Sequence, residues 1–248
     1  MDSFIKWIGG KKLLRKRITE KFPEKIDKYV EVFGGAGWVL FHKERHAEKE
    51  VYNDINSELV NLFRMVKHHP EAVQKELEYM LNSREMYNEY YTQDIRHRTE
   101  IQRAARYFFL IKVSFGAKIT SFGCSARTDL QIKDLSEVQK RLSRVLIENK
   151  SFEKLIKAQD GEGTLFYCDP PYYKTEKYYD MSDSVFGKEQ HILLRDILRE
   201  IKGKFVFSYN DDPFIRELYQ EFHIEAVERG NNLSNAAGKK YKELIITN

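Results

Sequence analysis

The segment Thr164-Leu-Phe-Tyr-Cys-Asp-Pro-Pro-Tyr172 decides the fold class and also indicates which chemical group the site binds. Its apolar run, Thr164 to Cys168, predicts a short buried strand. Ligands of open α/β sheets bind where parallel strands end, and Asp169 stands at that place. Pro170 and Pro171 fix the backbone and have no N–H groups, so the turn presents carbonyl oxygens outward. The loop therefore suits a substrate group that donates two hydrogens, such as an amino group on an aromatic ring.

Three residues of this loop are the candidate catalytic residues. One hydrogen of the amino group can go to the Asp169 carboxylate and the other to the Pro170 carbonyl oxygen, while Tyr172 stacks on the ring. The alternative is a rigid turn after a strand, with Tyr172 as a packing residue. We favour the catalytic interpretation because a glycine-rich turn precedes the loop in the same chain.

The glycine-rich turn is Glu31-Val-Phe-Gly-Gly-Ala-Gly37, which follows an apolar run. Glycines let the backbone approach a ligand closely, and their spacing here differs from the G-x-G-x-x-G of NAD sites. Asp54 ends the next predicted strand, where an acid commonly accepts hydrogen bonds from ribose hydroxyls. Asp54 could instead cap the following helix, although Asn56 and Ser57 are also available as caps. The turn and Asp54 together favour an adenosine-containing cofactor.

The remaining apolar pattern alternates short strands with helices, as in a parallel α/β sheet. The predicted strands are 29–33, 51–54, 164–168, 204–209, 223–228 and 241–247, and the predicted helices are 11–22, 38–46, 57–68, 188–201 and 212–222. Between Pro70 and Glu148 the chain is predicted to be helical, except for a loop at Gly116–Asp129. We therefore predict a catalytic domain of residues 1–68 and 149–248, interrupted by a helical insertion at 69–148.

Composition limits the classes of protein. With 248 residues, 42% of them hydrophobic, and a net charge of +4, the chain fits one well-cored domain with an insertion. It has no apolar run long enough for a membrane span and no signal peptide at its start. Cys124 and Cys168 lack metal-type spacing, which favours free thiols in a reducing cytoplasm. From Arg84 to Lys150 there are 13 Lys and Arg against 8 Asp and Glu, which indicates either a nucleic-acid interface or solvated helix faces.

Six short motifs occur in the order that one enzyme family shows. They are Lys6-Trp-Ile-Gly-Gly-Lys11, Phe33-Gly-Gly-Ala-Gly37, Tyr52-Asn-Asp-Ile-Asn56, Phe166-Tyr-Cys-Asp-Pro-Pro-Tyr172, Ser208-Tyr-Asn210 and Glu243-Leu-Ile-Ile-Thr-Asn248. Over nearly the whole chain they resemble the motifs of the Dam-type (D12 class) DNA N6-adenine methyltransferases. The resemblance implies a Rossmann-like α/β sheet that binds S-adenosylmethionine, with an inserted helical DNA-recognition domain.

The resemblance also implies roles for individual residues. Its cofactor-binding residues would be Trp7, Lys11, Phe33, Gly35, Asp54 and Asp169. Asp54 would bind the ribose, and Asp169 would touch both the cofactor and the target base. Without the resemblance, Trp7 reads as a core aromatic and Lys11 as a surface charge at a helix start. The product would be S-adenosylhomocysteine, no metal is implied, and neither cysteine is expected to act.

The loop that recognises DNA is expected at Phe115–Arg127. Its candidate DNA-binding residues are Lys118, Ser121 and Arg127. Phe115 and Phe122 could act as aromatic wedges, and Arg127 or Lys118 could pair with a guanine edge. The loop departs from the family's Asn-, Arg- and Tyr-rich hairpin, so no recognition sequence carries over. Four arginines either meet phosphates or are solvated: Arg96, Arg98, Arg103 and Arg106.

An adenine inside a duplex must be flipped out before its amino group can react. Asp169 and the Pro170 carbonyl would then draw N6 toward tetrahedral geometry and stabilise its developing positive charge. The segment 172–186 is expected to be a flap over the flipped base, although Tyr178 and Tyr179 could instead pack on the domain.

Other functions share parts of this pattern. N4 of cytosine, an adenine in RNA or a glutamine amide also offers an amino group, but Asp before Pro-Pro-Tyr favours adenine by resemblance. A DNA-binding protein without catalysis is disfavoured by the intact Asp54, Asp169 and Tyr172. A nucleotide-dependent oxidoreductase is disfavoured by the glycine spacing. We expect a monomer that acts on double-stranded DNA and has no membrane partner.

Overall fold

A computed structural model describes residues 1–7, 9–123, 134–173, 186–230 and 240–248. Its strands are β1 (Lys28–Glu31), β2 (Lys49–Asn53), β3 (Val145–Glu148), β4 (Thr164–Cys168), β5 (Lys204–Asn210), β6 (His223–Gly230) and β7 (Lys240–Thr247). These form one seven-stranded sheet in the order β3-β2-β1-β4-β5-β7-β6. Pairing is parallel from β3 to β5, whereas β7 runs antiparallel to both β5 and β6. The α/β sheet predicted from the sequence is confirmed.

The strand order reverses next to β1, which is where a site is expected. The chain moves outward from β1 to β2 and β3 and then returns to the other side of β1 to form β4. The carboxyl ends of β1 and β4 are neighbours, because Glu31 pairs with Tyr167. Loops that leave two such strands diverge and open a crevice between them. The crevice here lies between the glycine-rich turn and the Asp-Pro-Pro-Tyr loop.

The third strand differs from the sequence prediction. Residues 145–148 were assigned to the helical middle of the chain, but they form β3 at the sheet edge, paired with β2. Val145 is buried and Leu146 is exposed, the alternation expected of a strand with one covered face. A four-residue apolar run cannot be distinguished from a helix end by periodicity alone. The last four residues of the predicted insertion therefore belong to the sheet.

The helices are α1 (Arg15–Thr19), α2 (Ser57–His68), α3 (Pro70–Glu78), α4 (Arg84–Thr92), α5 (Glu100–Val113), α6 (Ser136–Leu142), α7 (Phe152–Gln159), α8 (Lys188–Glu200) and α9 (Pro213–Leu218). The bounds of α2 match the prediction, and Asn56 caps it by accepting from the Leu59 N–H. The helix predicted at 11–22 is confirmed only as the short α1, and α7 was not predicted.

The helix predicted at 38–46 is wrong, because only a 3-10 turn forms there, at Leu40–His42. The Arg141 guanidinium, which reaches over from α6, explains the difference. It takes the Leu40 carbonyl oxygen at 2.7 Å, which a helix would pair with the Glu44 N–H, and it also takes the Lys43 carbonyl oxygen at 3.0 Å. Arg141 also forms a bidentate, buried ion pair with Glu50 of β2. Side chains distant in sequence thus override the local helical pattern.

Two clusters of buried side chains cover the two faces of the sheet. One lies with α2, α3, α5 and α6, and the other lies with α7, α8 and α9. The helices of the predicted insertion contribute to the first cluster, since α5 packs on α2 and α3. Phe108 of α5 stacks on Phe4, with 6.1 Å between ring centroids. The insertion is built onto the core of the sheet, and its division from the catalytic domain at 68/69 and 148/149 stays a prediction.

Candidate active site

The Asp169 carboxylate directly follows β4 and is held from two sides. Lys11 Nζ lies 2.7 Å from Oδ1 and 2.8 Å from Oδ2. Ser208 of β5 donates from Oγ to Oδ1 at 3.2 Å, and the Tyr167 hydroxyl lies 2.9 Å from the same Oγ. Burial raises the pKa of Asp169, while the charge and hydrogen bond of Lys11 and the Ser208 hydroxyl oppose the rise. The ionised form therefore depends on Lys11.

Lys11 connects the N-terminal motif to the catalytic loop. Its side chain is only 3% exposed, which excludes a surface charge. Besides Asp169, its ammonium donates to the Tyr172 hydroxyl at 2.7 Å and to the Gly9 carbonyl at 3.0 Å. The buried cation thus fixes both the carboxylate and the tip of the tyrosine. The sequence did not predict this contact between Lys11 and the Asp-Pro-Pro-Tyr loop.

The glycine-rich turn after β1 is shaped by its neighbours as much as by any ligand. A Cβ atom at Gly34 would lie 2.2 Å from the Tyr52 ring, and one at Gly35 would lie 2.9 Å from Cδ1 of Trp7. Gly35 has a φ of +49°, a conformation that favours glycine. The Tyr52 hydroxyl donates to the Gly35 carbonyl at 2.7 Å. Close packing by Tyr52 and Trp7 therefore requires both glycines.

Asp54, which follows β2, ties two loops together. Its Oδ2 accepts from the Gly35 N–H and its Oδ1 from the Asn56 N–H, each at 2.9 Å. Because Asn56 is the cap of α2, the capping alternative for Asp54 does not hold. Burial raises the pKa of Asp54, and the two N–H donors oppose the rise. The carboxylate is oriented beside the glycine turn, where a ribose could also reach it.

All six residues predicted to bind the cofactor line one cleft at the carboxyl ends of β1, β2 and β4. They are Trp7, Lys11, Phe33, Gly35, Asp54 and Asp169. The space in the cleft is about 980 Å³ when it is counted out to the open mouth. Of the Asp-Pro-Pro-Tyr loop, Asp169 and Pro171 line the cleft, whereas Pro170 is buried outside its lining. Tyr172 also lies outside the lining and packs against Tyr209, with 4.5 Å between ring centroids.

Glu31 and Tyr107 are among the lining residues that were not assigned from the sequence. Glu31, at the end of β1, is buried and accepts from the Tyr29 hydroxyl at 2.7 Å. Burial raises the pKa of Glu31 to about 8, so its carboxyl is protonated at neutral pH. Tyr107 reaches the cleft from α5, and its hydroxyl accepts from the Asn56 side chain at 2.9 Å. Glu31 could have been predicted as a site residue because it lies at the end of a strand. No local sequence feature distinguishes Tyr107 from the other residues of α5.

The candidate DNA-binding residues are separated by the structure. Lys118 is half-buried and lines the cofactor cleft, whereas Ser121 is exposed outside it. Arg127 lies outside the described residues. The two aromatic residues of the loop also differ. Phe115 is 69% exposed, while Phe122 packs on Tyr87 with 5.5 Å between ring centroids.

The insertion's arginines are partly engaged within the protein. Arg96 forms an exposed ion pair with Asp94, and Arg103 pairs with Glu58 of α2. Arg106 donates to the Tyr90 carbonyl at 2.6 Å. Contact of the four arginines with phosphates stays a prediction. Among the described residues, no helix is long and apolar enough to cross a bilayer, and no group of acidic, His or Cys side chains is arranged for a metal.

A glycine-lined cleft joined to an Asp-Pro-Pro-Tyr loop at the strand reversal is the site that the six motifs predicted for a methyltransferase of the class that acts on amino groups. A family model described as D12 class N6 adenine-specific DNA methyltransferase matches residues 7–232. The chain belongs to this family, and it is a site-specific DNA methyltransferase that modifies N6 of adenine. The family resemblance predicted from the six motifs is confirmed.

Curated relatives support the assignment over the full chain. A type II methyltransferase of Lactococcus lactis subsp. cremoris is 33% identical, over 99% of this chain and 94% of its own. A type II methyltransferase of Paramecium bursaria Chlorella virus NC1A is 24% identical, over 100% of this chain and 97% of its own. A DNA adenine methylase of Haemophilus influenzae is 25% identical, over 98% and 92%. The similarity therefore spans both the sheet and the predicted insertion.

Proposed function

We propose that the protein binds S-adenosylmethionine in the cleft described above and transfers its methyl group to a flipped adenine of double-stranded DNA at Asp169. The observation that carries the proposal is the placement of the Asp169 carboxylate in the same cleft as Gly35 and Asp54. One wall offers a nucleoside site, and the other offers acceptors for an amino group. A donor and an acceptor bound to these two walls would lie side by side.

The residues of the cleft fit this cofactor. At Gly34 and Gly35 a Cβ is excluded, so the turn can present bare backbone to a ligand. Asp54 presents an oriented carboxylate to ribose hydroxyls, and Trp7 and Phe33 supply apolar surface. Lys11 also lines the cleft, where its positive charge favours a carboxylate of the ligand. The bound cofactor supplies an activated methyl group on a sulfonium, and the protein supplies geometry and charge.

The acceptor side is formed by Asp169 and Pro170. Asp169 lines the cleft, and the Pro170 carbonyl oxygen is the next acceptor along the loop, so an amino group that reaches both would donate one hydrogen to each. As positive charge develops on the nitrogen, the fixed carboxylate stabilises it without reorganisation. Ser208 keeps one carboxylate oxygen oriented, and Lys11 keeps the group ionised. Placing donor and acceptor in one cleft contributes the further large factor of proximity.

Two aromatic residues are assigned to base flipping. Tyr172, held by Lys11 through its hydroxyl, stacks on the flipped adenine. Phe115 is the wedge that fills the gap in the duplex, because its side chain is exposed just after α5 while Phe122 packs on Tyr87. Ser121 and Lys118 flank that wedge. Lys118 lines the cleft, so its role combines the cofactor side with the DNA side.

The remaining assignments concern setting and organisation. The insertion predicted at 69–148, whose last four residues form β3, serves as the target-recognition region and presents its basic side to the duplex. The protein acts as a monomer in the cytoplasm, in keeping with the buried thiol of Cys168. The product left in the cleft is S-adenosylhomocysteine.

Methyl transfer from labelled S-adenosylmethionine to unmethylated duplex DNA tests the proposal. Asp169→Ala should abolish incorporation while the protein keeps its fold by circular dichroism. Asp94→Ala, which removes an exposed carboxylate paired with Arg96, is the matched control and should keep full activity. Near-full activity of Asp169→Ala would exclude the role of this carboxylate. Long-read mapping of modified adenines in a methylation-free host then identifies the recognised sequence.

A further inference from the structure

A buried tyrosine and histidine lie directly behind the Asp-Pro-Pro-Tyr loop, and neither has a role in the proposed chemistry. Tyr209, on β5, accepts at its hydroxyl from the backbone N–H of Tyr173. The same hydroxyl lies 3.0 Å from Nε2 of His191, on α8. Both side chains are fully buried. The chain of contacts runs from α8 through β5 to the residue that follows Tyr172.

The Tyr209 hydroxyl takes part in both contacts of this chain. Its oxygen accepts from the Tyr173 N–H. The same hydroxyl either donates its proton to His191 Nε2 or accepts a second hydrogen from it, depending on the imidazole tautomer. Each of the two contacts satisfies a polar group in a buried setting. Loss of the hydroxyl would leave the Tyr173 N–H without this acceptor.

The same pair also supports the aromatic side of the loop. Tyr209 lies against Tyr172, with 4.5 Å between ring centroids, and His191 meets the edge of Tyr173 at 6.5 Å. Phe214 completes the pocket around Tyr173, 5.4 Å from its ring. The backbone and both rings of the Tyr172-Tyr173 pair are thus fixed by one hydroxyl and its neighbours.

Strand geometry explains why β5 can hold the loop from both faces of the sheet. Successive residues of a strand point to opposite faces. Ser208 points toward the face of α2 and orients the Asp169 carboxylate, whereas Tyr209 points toward the face of α8 and fixes the backbone of Tyr173. Two adjacent residues therefore control two different parts of the loop. The Ser208 contact concerns the acceptor, and the Tyr209 contact concerns the tyrosine platform.

We infer that Tyr209, supported by His191, is a positioning residue that sets the stacking face of Tyr172 for the flipped adenine. The inference rests on the proposed stacking role of Tyr172. Neither residue touches the cofactor cleft, since both lie outside its lining. The pair should consequently affect base capture and the methyl-transfer rate, while cofactor affinity stays unchanged.

The test compares Tyr209→Phe with Tyr219→Phe. Both changes delete one hydroxyl from a fully buried tyrosine of the same cluster, but the Tyr219 hydroxyl has no hydrogen-bond partner among the described residues. Tyr209→Phe should lower the single-turnover methylation rate about ten- to a hundredfold, because small misplacements of reacting groups cost factors of that size. S-adenosylmethionine affinity by calorimetry should match wild type. Fluorescence of 2-aminopurine at the target position should report less or weaker capture of the flipped base.

A double-mutant cycle tests the part assigned to His191. His191→Leu removes the hydrogen-bond partner of the Tyr209 hydroxyl, and His191→Gln retains a side chain that can donate or accept a hydrogen bond. His191→Leu should lower the rate in the wild-type background and have little further effect beside Tyr209→Phe. His191→Gln should restore part of the rate. Should His191→Leu fail to fold, the comparison of Tyr209→Phe with Tyr219→Phe still decides.

Some outcomes would overturn the inference. Equal rates and equal 2-aminopurine signals for Tyr209→Phe and Tyr219→Phe would show that the hydroxyl positions nothing. A matching loss of cofactor affinity in Tyr209→Phe would indicate general disturbance of the cleft. Failure of the proposed function gives a different pattern, since Asp169→Ala would then keep its activity whatever Tyr209→Phe does.

Discussion

Replacing Lys11 with methionine removes the buried cation beside Asp169 while keeping a side chain of similar length. Lys11 Nζ lies 2.7 Å from the carboxylate and is almost wholly buried. An opposite charge this close lowers the pKa of a carboxyl by about 1–3 units. Without it, desolvation raises the pKa of Asp169 unopposed by that charge. Because the amino group needs an ionised acceptor, the acid limb of the pH–rate profile should move up by about 1–3 pH units.

The assay is single-turnover methylation of a duplex, measured across pH. Saturating S-adenosylmethionine is used so that weaker cofactor binding does not change the acid limb of the pH–rate profile. Lys12→Met is the matched control, since Lys12 is exposed and pairs with Asp2 at the surface. Its profile should overlay wild type. An acid limb in Lys11→Met that coincides with wild type would refute the idea that Lys11 keeps Asp169 ionised.

Unfolding free energy gives an independent reading of the same pair. The folded-state pKa of Asp169 is raised above its ordinary 3.8, so its contribution to stability is present below that value and lost as pH rises through the folded-state pKa. Lys11→Met raises the folded-state pKa of Asp169 further, so a larger part of the unfolding free energy is lost as pH rises. The variant should therefore be less stable than wild type by about 1–4 kcal/mol near pH 8, since each pKa unit corresponds to about 1.4 kcal/mol. The deficit should shrink as pH falls.

Three further predictions concern separate walls of the site. Asp54→Ala should weaken S-adenosylmethionine binding about ten- to a hundredfold by calorimetry, because a charged acceptor of ribose hydroxyls is lost, and unchanged affinity would exclude that role. Glu31 has a pKa raised from 4.5 to about 8, so its stabilising contribution is lost as pH rises toward that value. Urea unfolding should show wild type losing about 2–3 kcal/mol relative to Glu31→Gln between about pH 6 and pH 9, and parallel curves would contradict the buried, protonated state. Phe115→Ala should reduce 2-aminopurine fluorescence at the target base, whereas Phe122→Ala should lower the free energy of unfolding. Equal fluorescence for Phe115→Ala and wild type would exclude the wedge role of Phe115.

Much of the site could be predicted because its elements are local. Prolines 170 and 171 fix the backbone on their own, and the apolar run before them is a strand in any parallel sheet context. The bounds of α2 follow from its apolar period and from the Asn56 cap. The six motifs placed all predicted cofactor residues, and the structure brings them into one cleft. Their individual roles stay predictions until the variants are measured.

Other features depend on partners that periodicity does not reveal. The strand at 145–148 was taken for a helix end, because only pairing with β2 distinguishes the two. The segment 38–46 looked helical, but the Arg141 guanidinium captures its carbonyls from about a hundred positions away. Part of the positive charge in the middle of the chain is also neutralised within the protein, since Arg96 and Arg103 form ion pairs with acidic side chains.

By itself, the sequence determined the strand-and-helix order, the glycine turn and the Asp-Pro-Pro-Tyr loop, since each depends on backbone constraints within a few residues. Only the tertiary structure decided how that loop is held. Lys11 meets Asp169 across 158 positions, and Tyr209 meets both Tyr173 and His191 from another strand. Packing brings these distant residues together and excludes water from them, which strengthens their ion pairs and hydrogen bonds. The sequence pattern does not indicate which groups will be buried next to each other.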